Sequence, residues 1–454
     1  MSFFRDIIKK NGDRLEIFMM NSIPEWFVKS SIYQINPRTF SAEGTIEAVT
    51  RELPKLRELG FKIMYLCPVF REDDSEDKAF WSERQLKSAT ENPKNPYRMN
   101  DYFDIDEEYG SMADLKRFVE SSHELGMKVL LDLVYLHIGP NADILKIHPE
   151  FAAKNPDGTA KLTRWHFPYL NYECEGLREY LWSNMTYYVG VIGADGFRCD
   201  VGDDVPLDFW CEGKRRITAI KPDAVMINEG VRPEYLSVFH ANYTFWWHDC
   251  VFQLLEGSIT ADALITRDEA EKYRVPLGKR LLRDMDNHDT VTDWPYRIEG
   301  HYGSDAMELI LALNFTLDGV PMVFCGNELA DCARISMFAN RFHMGEFEVT
   351  DRSSSGAATE RRKRVIRTLN EFRESISALN SGATVWHRLD KDRVLSFDRA
   401  ISGEAVRFVG NFSGEAVEVP DTAFGEVILS NNAERTKGVI RLSSYGYIIL
   451  RERE

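Results

Sequence analysis

Four places in the sequence set chemically able side chains directly after a short apolar run. Asp132 lies at the end of Lys128-Val-Leu-Leu131, and His137 follows in the next loop. Arg198 and Asp200 follow Gly196-Phe197, Glu229 follows Ala224-Val-Met-Ile227, and Asn287, His288 and Asp289 follow the segment that opens with Arg280-Leu-Leu282. Taken singly, each has an ordinary use: an Asp as helix cap or turn residue, a His in a structural hydrogen bond, an Arg in a salt bridge. Taken together they are carboxylates, imidazoles and a guanidinium, the groups that hand over protons and stabilise charge if the fold brings them to one place.

The elements that would have to do so recur along the chain as short β-type runs followed by helical patterns. Ser31 to Ile35 is a first strand, and Ile46, Val49, Leu53, Leu56 and Leu59 then repeat at helical spacing up to Gly60. Lys62 to Leu66 is a second strand. Ser111, with Asp114 three residues on, starts a helix that Gly126 closes. Lys128 to Val134 is a third strand, Gly193 to Arg198 holds a fourth, Ala224 to Ile227 a fifth, Cys250 to Leu254 a sixth, Arg280 to Leu282 leads into a seventh, and Val320 to Phe324 is an eighth. A basic helix is expected from about Glu360 to Leu379.

Alternating strands and helices specify parallel β/α units, and eight of them predict an α/β fold of the closed (β/α)8 TIM-barrel type. The rival, a doubly wound open sheet, usually carries a glycine-rich first turn, and none is present. In such a barrel reactive groups gather at the C-terminal strand ends, where all four clusters fall. Two segments break the pattern. Residues 138–170 are rich in Pro, Gly, Asn and His and read as a short inserted subdomain after the third strand. Beyond Ser381 short strands and turns read as an all-β module. The expected division is a barrel over 1–137 and 171–380, an insert over 138–170 and a C-terminal antiparallel β domain over 381–454.

Composition narrows the partners. Among 454 residues, 72 are acidic and 56 basic, a net charge of -16 that repels nucleic-acid backbones and anionic membranes. No run of about 18 apolar residues exists to span a membrane. The first residues, MSFFRDIIKKNGDRLEIF, lack the apolar core and small-residue cleavage site of a secretory signal. Seven scattered cysteines form no CxxC pair, which fits buried thiols in a reducing, cytoplasmic setting.

With these motifs in place, the sequence resembles the α-amylase superfamily of retaining glycoside hydrolases from about Trp26 onward. Four family motifs stand in order as Asp132-Leu-Val-Tyr-Leu-His137, Gly196-Phe-Arg-Cys-Asp200, Asn228-Glu229-Gly230 and Asn287-His-Asp289. Supporting matches are Ile32-Tyr-Gln-Ile-Asn-Pro-Arg38, Asp101-Tyr-Phe-Asp-Ile-Asp106, and the stretch from Gly319-Val-Pro to Gly326-Asn-Glu328. The resemblance implies Asp200 as nucleophile, Glu229 as general acid and base, and Asp289 as the third carboxylate gripping sugar hydroxyls. It implies substrate contacts by Tyr97 as aromatic platform, by His137 and His288, and by Asp132, Arg198 and Asn287. Arg198 would hold Asp200 ionised, and crowding among acids would raise Glu229. Retention needs the two carboxyl groups about 5–5.5 Å apart.

The departures from the family matter as much. Leu136 stands where many members have a calcium-binding Asn and offers no oxygen ligand, so no metal or other cofactor is expected. Arg98 follows the platform Tyr where α-glucosidases usually carry Asp. It reads as a surface ion pair with Asp101 or Asp104, or as a group entering the first subsite to select an altered or anionic sugar. Val201-Gly-Asp-Asp204 replaces the Lys-His of starch-cleaving members. The short insert and the short segment before the first strand argue against branching and debranching activity. The loop from Arg71 to Asn95 reads as a solvated lid, with a substrate wall as the alternative, and Trp246-Trp247 as core packing or sugar stacking. The expected activity is hydrolysis of α-glucosidic linkages in oligosaccharides or disaccharides by double displacement. Transfer, phosphorolysis and isomerisation use the same carboxylates, and a non-catalytic interaction protein is the reading from another class.

Overall fold

The computed structural model describes residues 23–339, 350, 352 and 355–453. The first 22 residues of the expected barrel segment therefore lie outside the described residues. Eight parallel strands close on themselves: β1 (Ile32–Ile35), β2 (Ile63–Leu66), β5 (Lys128–Leu133), β6 (Gly196–Cys199), β7 (Val225–Asn228), β8 (Ala241–Asn242), β9 (Arg280–Arg283) and β10 (Val320–Phe324). β1 pairs with both β2 and β10, which completes the ring. Inside it, Ile32, Ile63, Tyr65, Leu130, Val225, Ile227, Leu282 and Met322 form one apolar cluster; the alternate residues face the surrounding helices in the larger core. This is the two-sided burial that makes parallel strands read as continuous apolar runs.

Seven of the eight strands overlap the runs seen in sequence. The sixth does not. Cys250 to Leu254 lies in the helix Phe245–Glu256, and the sixth barrel strand is the two-residue β8. A buried helix is apolar enough to imitate a strand over five residues, and two residues carry no period. The basic helix runs Ala357–Ser375, followed by a short helix, Ser377–Ser381.

Two excursions rise over the C-terminal strand ends. Beyond β2 the chain forms the hairpin of β3 (Phe70–Glu72) and β4 (Met99–Ile105), joined by a long loop. Beyond β5, residues 138–170 hold the short helix Asp143–Ile147 and three isolated β-bridges, and a fourth bridge joins His137 to Tyr169. The C-terminal module is an antiparallel sheet of β11 (Ala383–His387), β12 (Val394–Ile401), β13 (Glu404–Asn411), β14 (Val417–Pro420), β15 (Glu426–Thr436) and β16 (Val439–Arg453). Phe397, Phe408 and Ile449 on one face join the main core, while Val409, Ile440 and Leu450 build a separate small core on the other. None of the helices among the described residues is long and apolar enough to cross a membrane. All seven cysteines are free; Cys67, Cys199 and Cys325 are buried, whereas Cys211 and Cys332 are exposed, so burial of the thiols is only partial.

At the opposite, N-terminal end of the barrel, Asp195 ties three elements together. Its carboxylate accepts from Val129 N–H at 2.9 Å, from Lys128 at 3.0 Å and Lys221 at 3.1 Å, and meets His123 at 2.7 Å. Burial alone would raise this carboxyl; the His123 and Lys221 contacts and the backbone bond outweigh it and hold it at about 2. A carboxylate whose folded pKa is depressed contributes stability above its unfolded value and loses it as pH falls through the folded one. Asp195→Asn is therefore expected to cost about 2–3 kcal/mol at pH 7. The gap in urea midpoint between the two proteins is expected to close as pH is lowered from about 4 to about 2.

Candidate active site

The ring geometry explains why the clustered residues meet. Asp132 and Arg198 are register partners on β5 and β6, so both side chains leave the strands toward the same side. Gly196 makes that pairing possible: its φ is +151°, and a Cβ there would lie 1.9 Å from the Val225 carbonyl oxygen. Arg198 is 1% exposed, and its fork reaches three acids. Nη1 donates to Asp132 Oδ1 at 2.8 Å and Asp200 Oδ1 at 2.7 Å, and Nη2 lies 2.8 Å from Glu229 Oε1. Asp200 is thus hydrogen-bonded, and Glu229 ion-paired, to adjacent nitrogens of a single guanidinium.

A hydrogen-bonded chain fixes the other ligands. Asp132 Oδ2 accepts from Tyr65 at 2.6 Å and from Tyr97 at 3.1 Å. The Tyr97 hydroxyl also meets His288 Nε2 at 2.6 Å, and His288 Nδ1 meets the Gln34 amide nitrogen at 2.8 Å. Gln34 donates, so Nδ1 accepts and the proton resides on Nε2, which donates to the tyrosine; the hydroxyl hydrogen then points to Asp132. Burial pushes His288 down, which agrees with a neutral ring. The Tyr97 and His288 rings stack at 5.4 Å. His137 Nε2 donates to the Tyr97 carbonyl at 2.7 Å, and burial pushes this imidazole down to about 4, so it too is neutral.

The acids differ in their electrostatic setting. Burial raises Asp200, the Glu229 charge raises it further, and Arg198 opposes both; the net direction is upward. Arg198 therefore pulls Asp200 toward the ionised form as the sequence suggests, yet is outweighed. Glu229 is also raised, by burial first and by the charge of Asp289. The two titrate as a pair in which the first negative charge resists the second. Asp289 goes the other way: His288 and Arg84 overcome its burial and hold it well below the usual carboxylate range.

Asp200, Glu229, Asp289, Tyr97, His137 and His288 line one cavity of about 300 Å³. Asp132 and Arg198 lie beneath it and act on it through their bonds. Asn287 caps the helix His288–Asp293, accepting from Asp289 and Thr290 N–H, and donates to Asp284. It does not line the cavity; its position sets that of Asp289.

Arg98 has neither of the places expected for it. It is fully buried, outside the cavity wall, and donates to the carbonyls of Phe80, Asp73, Ser75 and Pro93 at 2.6–3.1 Å, with Asp73 3.4 Å from its Nε. Four carbonyls of one loop converge on one guanidinium, so Arg98 is the staple of the β3–β4 excursion. Arg71, not Arg98, faces Asp104 and Asp143.

That loop is no solvated lid. Trp81 is 3% exposed and donates to the Ser75 carbonyl, and Arg84 reaches the cavity to bind Asp289 at 2.7 Å and Asp293 at 2.8 Å. Arg84 was not singled out from sequence, because no local pattern marks a contact spanning 205 residues. Arg164, Trp165 and Phe167 of the insert also line the cavity; the only trace of them in sequence is an aromatic and basic run inside a Pro- and Gly-rich stretch. Trp247 is buried and packs on Arg283, so the tryptophan pair belongs to the core. Asp203, where starch-cleaving members have a basic pair, accepts from Asn228, Val231 and Arg232 and fixes the loop that carries Glu229. Among the described residues no group of three or more His, Cys, Asp or Glu is arranged to hold a metal ion.

Comparison with known proteins agrees with this geometry. Residues 11–156 match the family model of the α-amylase catalytic domain. A cyclomaltodextrinase from Bacillus sp is 28% identical over 387 residues, covering 70% of this chain and 63% of that protein. The α-amylase MalA of Haloarcula japonica is 25% identical over 428 residues, covering 87% and 57%. The chain thus spans about three fifths of the length of these relatives. Among solved structures, an α-amylase from Lactobacillus plantarum superposes with a TM-score of 0.78 at 22% identity, covering 94% of this chain and 99% of that one. With its closed barrel and C-terminal sheet, this chain has the fold of that α-amylase, and its residues 11–156 match the α-amylase catalytic-domain model.

Proposed function

We propose that the chain is a retaining α-glycosidase acting on α-glucosidic linkages of oligosaccharides or disaccharides. The observation that carries this is the single guanidinium of Arg198 bridging Asp200 and Glu229 at the floor of a cavity that Asp289 also lines. In the proposed reaction, an oxygen of Asp200 attacks the anomeric carbon while Glu229 gives its proton to the departing glycosidic oxygen. The product is a covalent glycosyl-Asp200. Glu229, now ionised, takes a proton from water, and the hydroxide attacks the same carbon and releases Asp200. Burial raises both members of the pair, which favours the proton that the first step requires, and Arg198 stabilises the ionised form. Asp289, held ionised by Arg84, accepts from sugar hydroxyls, and the Tyr97 ring offers an apolar face to the pyranose.

Transfer to another acceptor uses the same steps with the water replaced. Hydrolysis is the reading kept here, and an interaction protein without catalysis has no use for this set of coupled carboxylates. The free thiols support a reducing, cytoplasmic setting.

The direct test is product analysis over a panel of α-linked di- and oligosaccharides, with and without inorganic phosphate. Free sugar is expected, independent of phosphate, and Asp200→Asn is expected to release none. A sugar phosphate or a rearranged glycan would move the protein to the transferring branch, and no turnover of any substrate would overturn the enzymatic reading.

The pair's electrostatics set the pH profile. Activity needs the proton on Glu229, whose pKa is raised, so kcat/KM is expected to fall as pH rises through a value above the ordinary Glu range of about 4.3. Glu229→Gln is expected to lower kcat/KM on natural linkages by roughly 10²–10⁴-fold. On a substrate whose leaving group needs no proton, the glycosylation burst is expected to survive in this variant and to lose its alkaline limb. An alkaline limb that persists would assign the acid elsewhere.

A further inference from the structure

We propose that a second cavity, at the N-terminal ends of β9 and β10, is a binding site for a small tetrahedral oxyanion of the phosphate type. The cavity, of about 220 Å³, lies at the seam between the barrel and the C-terminal sheet, at the end of the barrel away from Asp200. In a chain of net charge -16 its walls carry Lys272, Lys279, Arg280 and Arg399 against one acid, Asp318. That acid is already engaged: Lys272 lies 2.6 Å from Asp318 and 2.7 Å from Asp268. Among the described residues, Lys279, Arg280 and Arg399 have no carboxylate within ion-pair distance.

Arg399 is 2% exposed, donates to the Thr316 and Gly382 carbonyls, and keeps an Nε–H with no acceptor. Arg373, 1% exposed, stands among the same charges; it donates to the Val28, Leu379 and Gly319 carbonyls and likewise has an unpartnered Nε–H. Burial first, then repulsion from Arg399 and Arg280, pulls Arg373 down to about 9; burial, with repulsion from Arg280 and Arg283 against the attraction of Asp318, pulls Arg399 down to about 10. Carbonyls at a helix end supply about half a negative charge, too little for several full positive ones. Asp318 is one counter-charge shared among several cations, and buried charge that is not fully paired is costly. A tetrahedral oxyanion supplies full charge and acceptors in several directions, and guanidinium forks suit it in geometry as well as sign.

The test is thermal unfolding of the full chain in chloride, in inorganic phosphate and in a hexose monophosphate at matched ionic strength. A saturable rise in midpoint with phosphate or the ester is expected, as for any ligand bound only by the folded state. A response to both identifies the bare oxyanion as sufficient, and a response to the ester alone adds an organic group to the ligand; either supports the site. Arg280, which among the described residues donates only to the Gly278, Lys279 and Asn380 carbonyls, is the residue to change. Arg280→Gln is expected to weaken the apparent affinity about tenfold or more, as loss of a charge-assisted hydrogen bond would, and Arg280→Lys to keep most of it. Turnover without phosphate is expected to be unchanged in both. Lys279→Gln is the second variant, with the same expectation, should Arg280→Gln not fold. No greater shift in phosphate or ester than in chloride overturns the proposal, and so does an undiminished response in Arg280→Gln or, in its place, Lys279→Gln.

Discussion

Three carboxylates at the top of this barrel are tolerable because one guanidinium stands among them. Asp132, Asp200 and Glu229 all contact Arg198, and the rings of Tyr97 and Tyr243 lie 5.8 and 5.7 Å from its charge. Without that cation the parallel strands would aim several negative charges into a space with little water, where repulsion is least screened. With it, two acids become a coupled pair and the third becomes a fixed acceptor that orients Tyr97. The cost of burying so many charges is high, and breaking one partner of such a set typically costs about 3–5 kcal/mol. The upper layer of the barrel is therefore held in one arrangement, and the reaction proposed for it depends on that arrangement.

The sequence made most of this readable because strand ends are local. A polar side chain within a few residues of an apolar run announces its own position, so Asp132, Arg198, Asp200 and Glu229, and further past their run His288 and Asp289, could be found without knowing which strands are neighbours. The barrel followed from repetition of the same unit. What could not be read was non-local. β8 escaped notice because two residues have no period, and the helix beside it carried the stronger apolar signal. The neighbours of Arg98 in sequence are a tyrosine and, further on, acids, which point to a surface or subsite place. The groups it binds are main-chain carbonyls, which leave no mark in a sequence. Arg84 lies in a stretch of mixed charge that resembles solvated loop, and only the folded chain shows that its target is Asp289.

Those two arginines have linked roles. Arg98 fixes the β3–β4 excursion internally, through carbonyls on both sides of the segment that contains Arg84. Arg84, so positioned, brings a second positive charge to the site from the side, where Arg198 supplies the first from below. The departure from the family pattern after Tyr97 is thus accounted for within the loop, and selection of a charged sugar need not be invoked to explain Arg98.

Charge also follows the barrel axis for a reason built into the topology. Each strand runs toward the end that holds the site, and each helix begins there and returns. Helix starts, with their partial positive charge, therefore collect at one end, and helix ends, with partial negative charge, at the other. Asp289 sits in the first turn of the helix His288–Asp293, and its backbone N–H is taken by the Asn287 cap. Arg399 donates to the carbonyl of Thr316, the last residue of the helix Ser304–Thr316. The alternation of strand and helix that closes the ring thus also favours acids where the sugar would bind and guanidinium groups at the far end. Neither set of charges needs the other in contact: the two ends are biased in opposite directions by the same backbone dipoles, and Asp289 and Arg399 each sit on the favoured side.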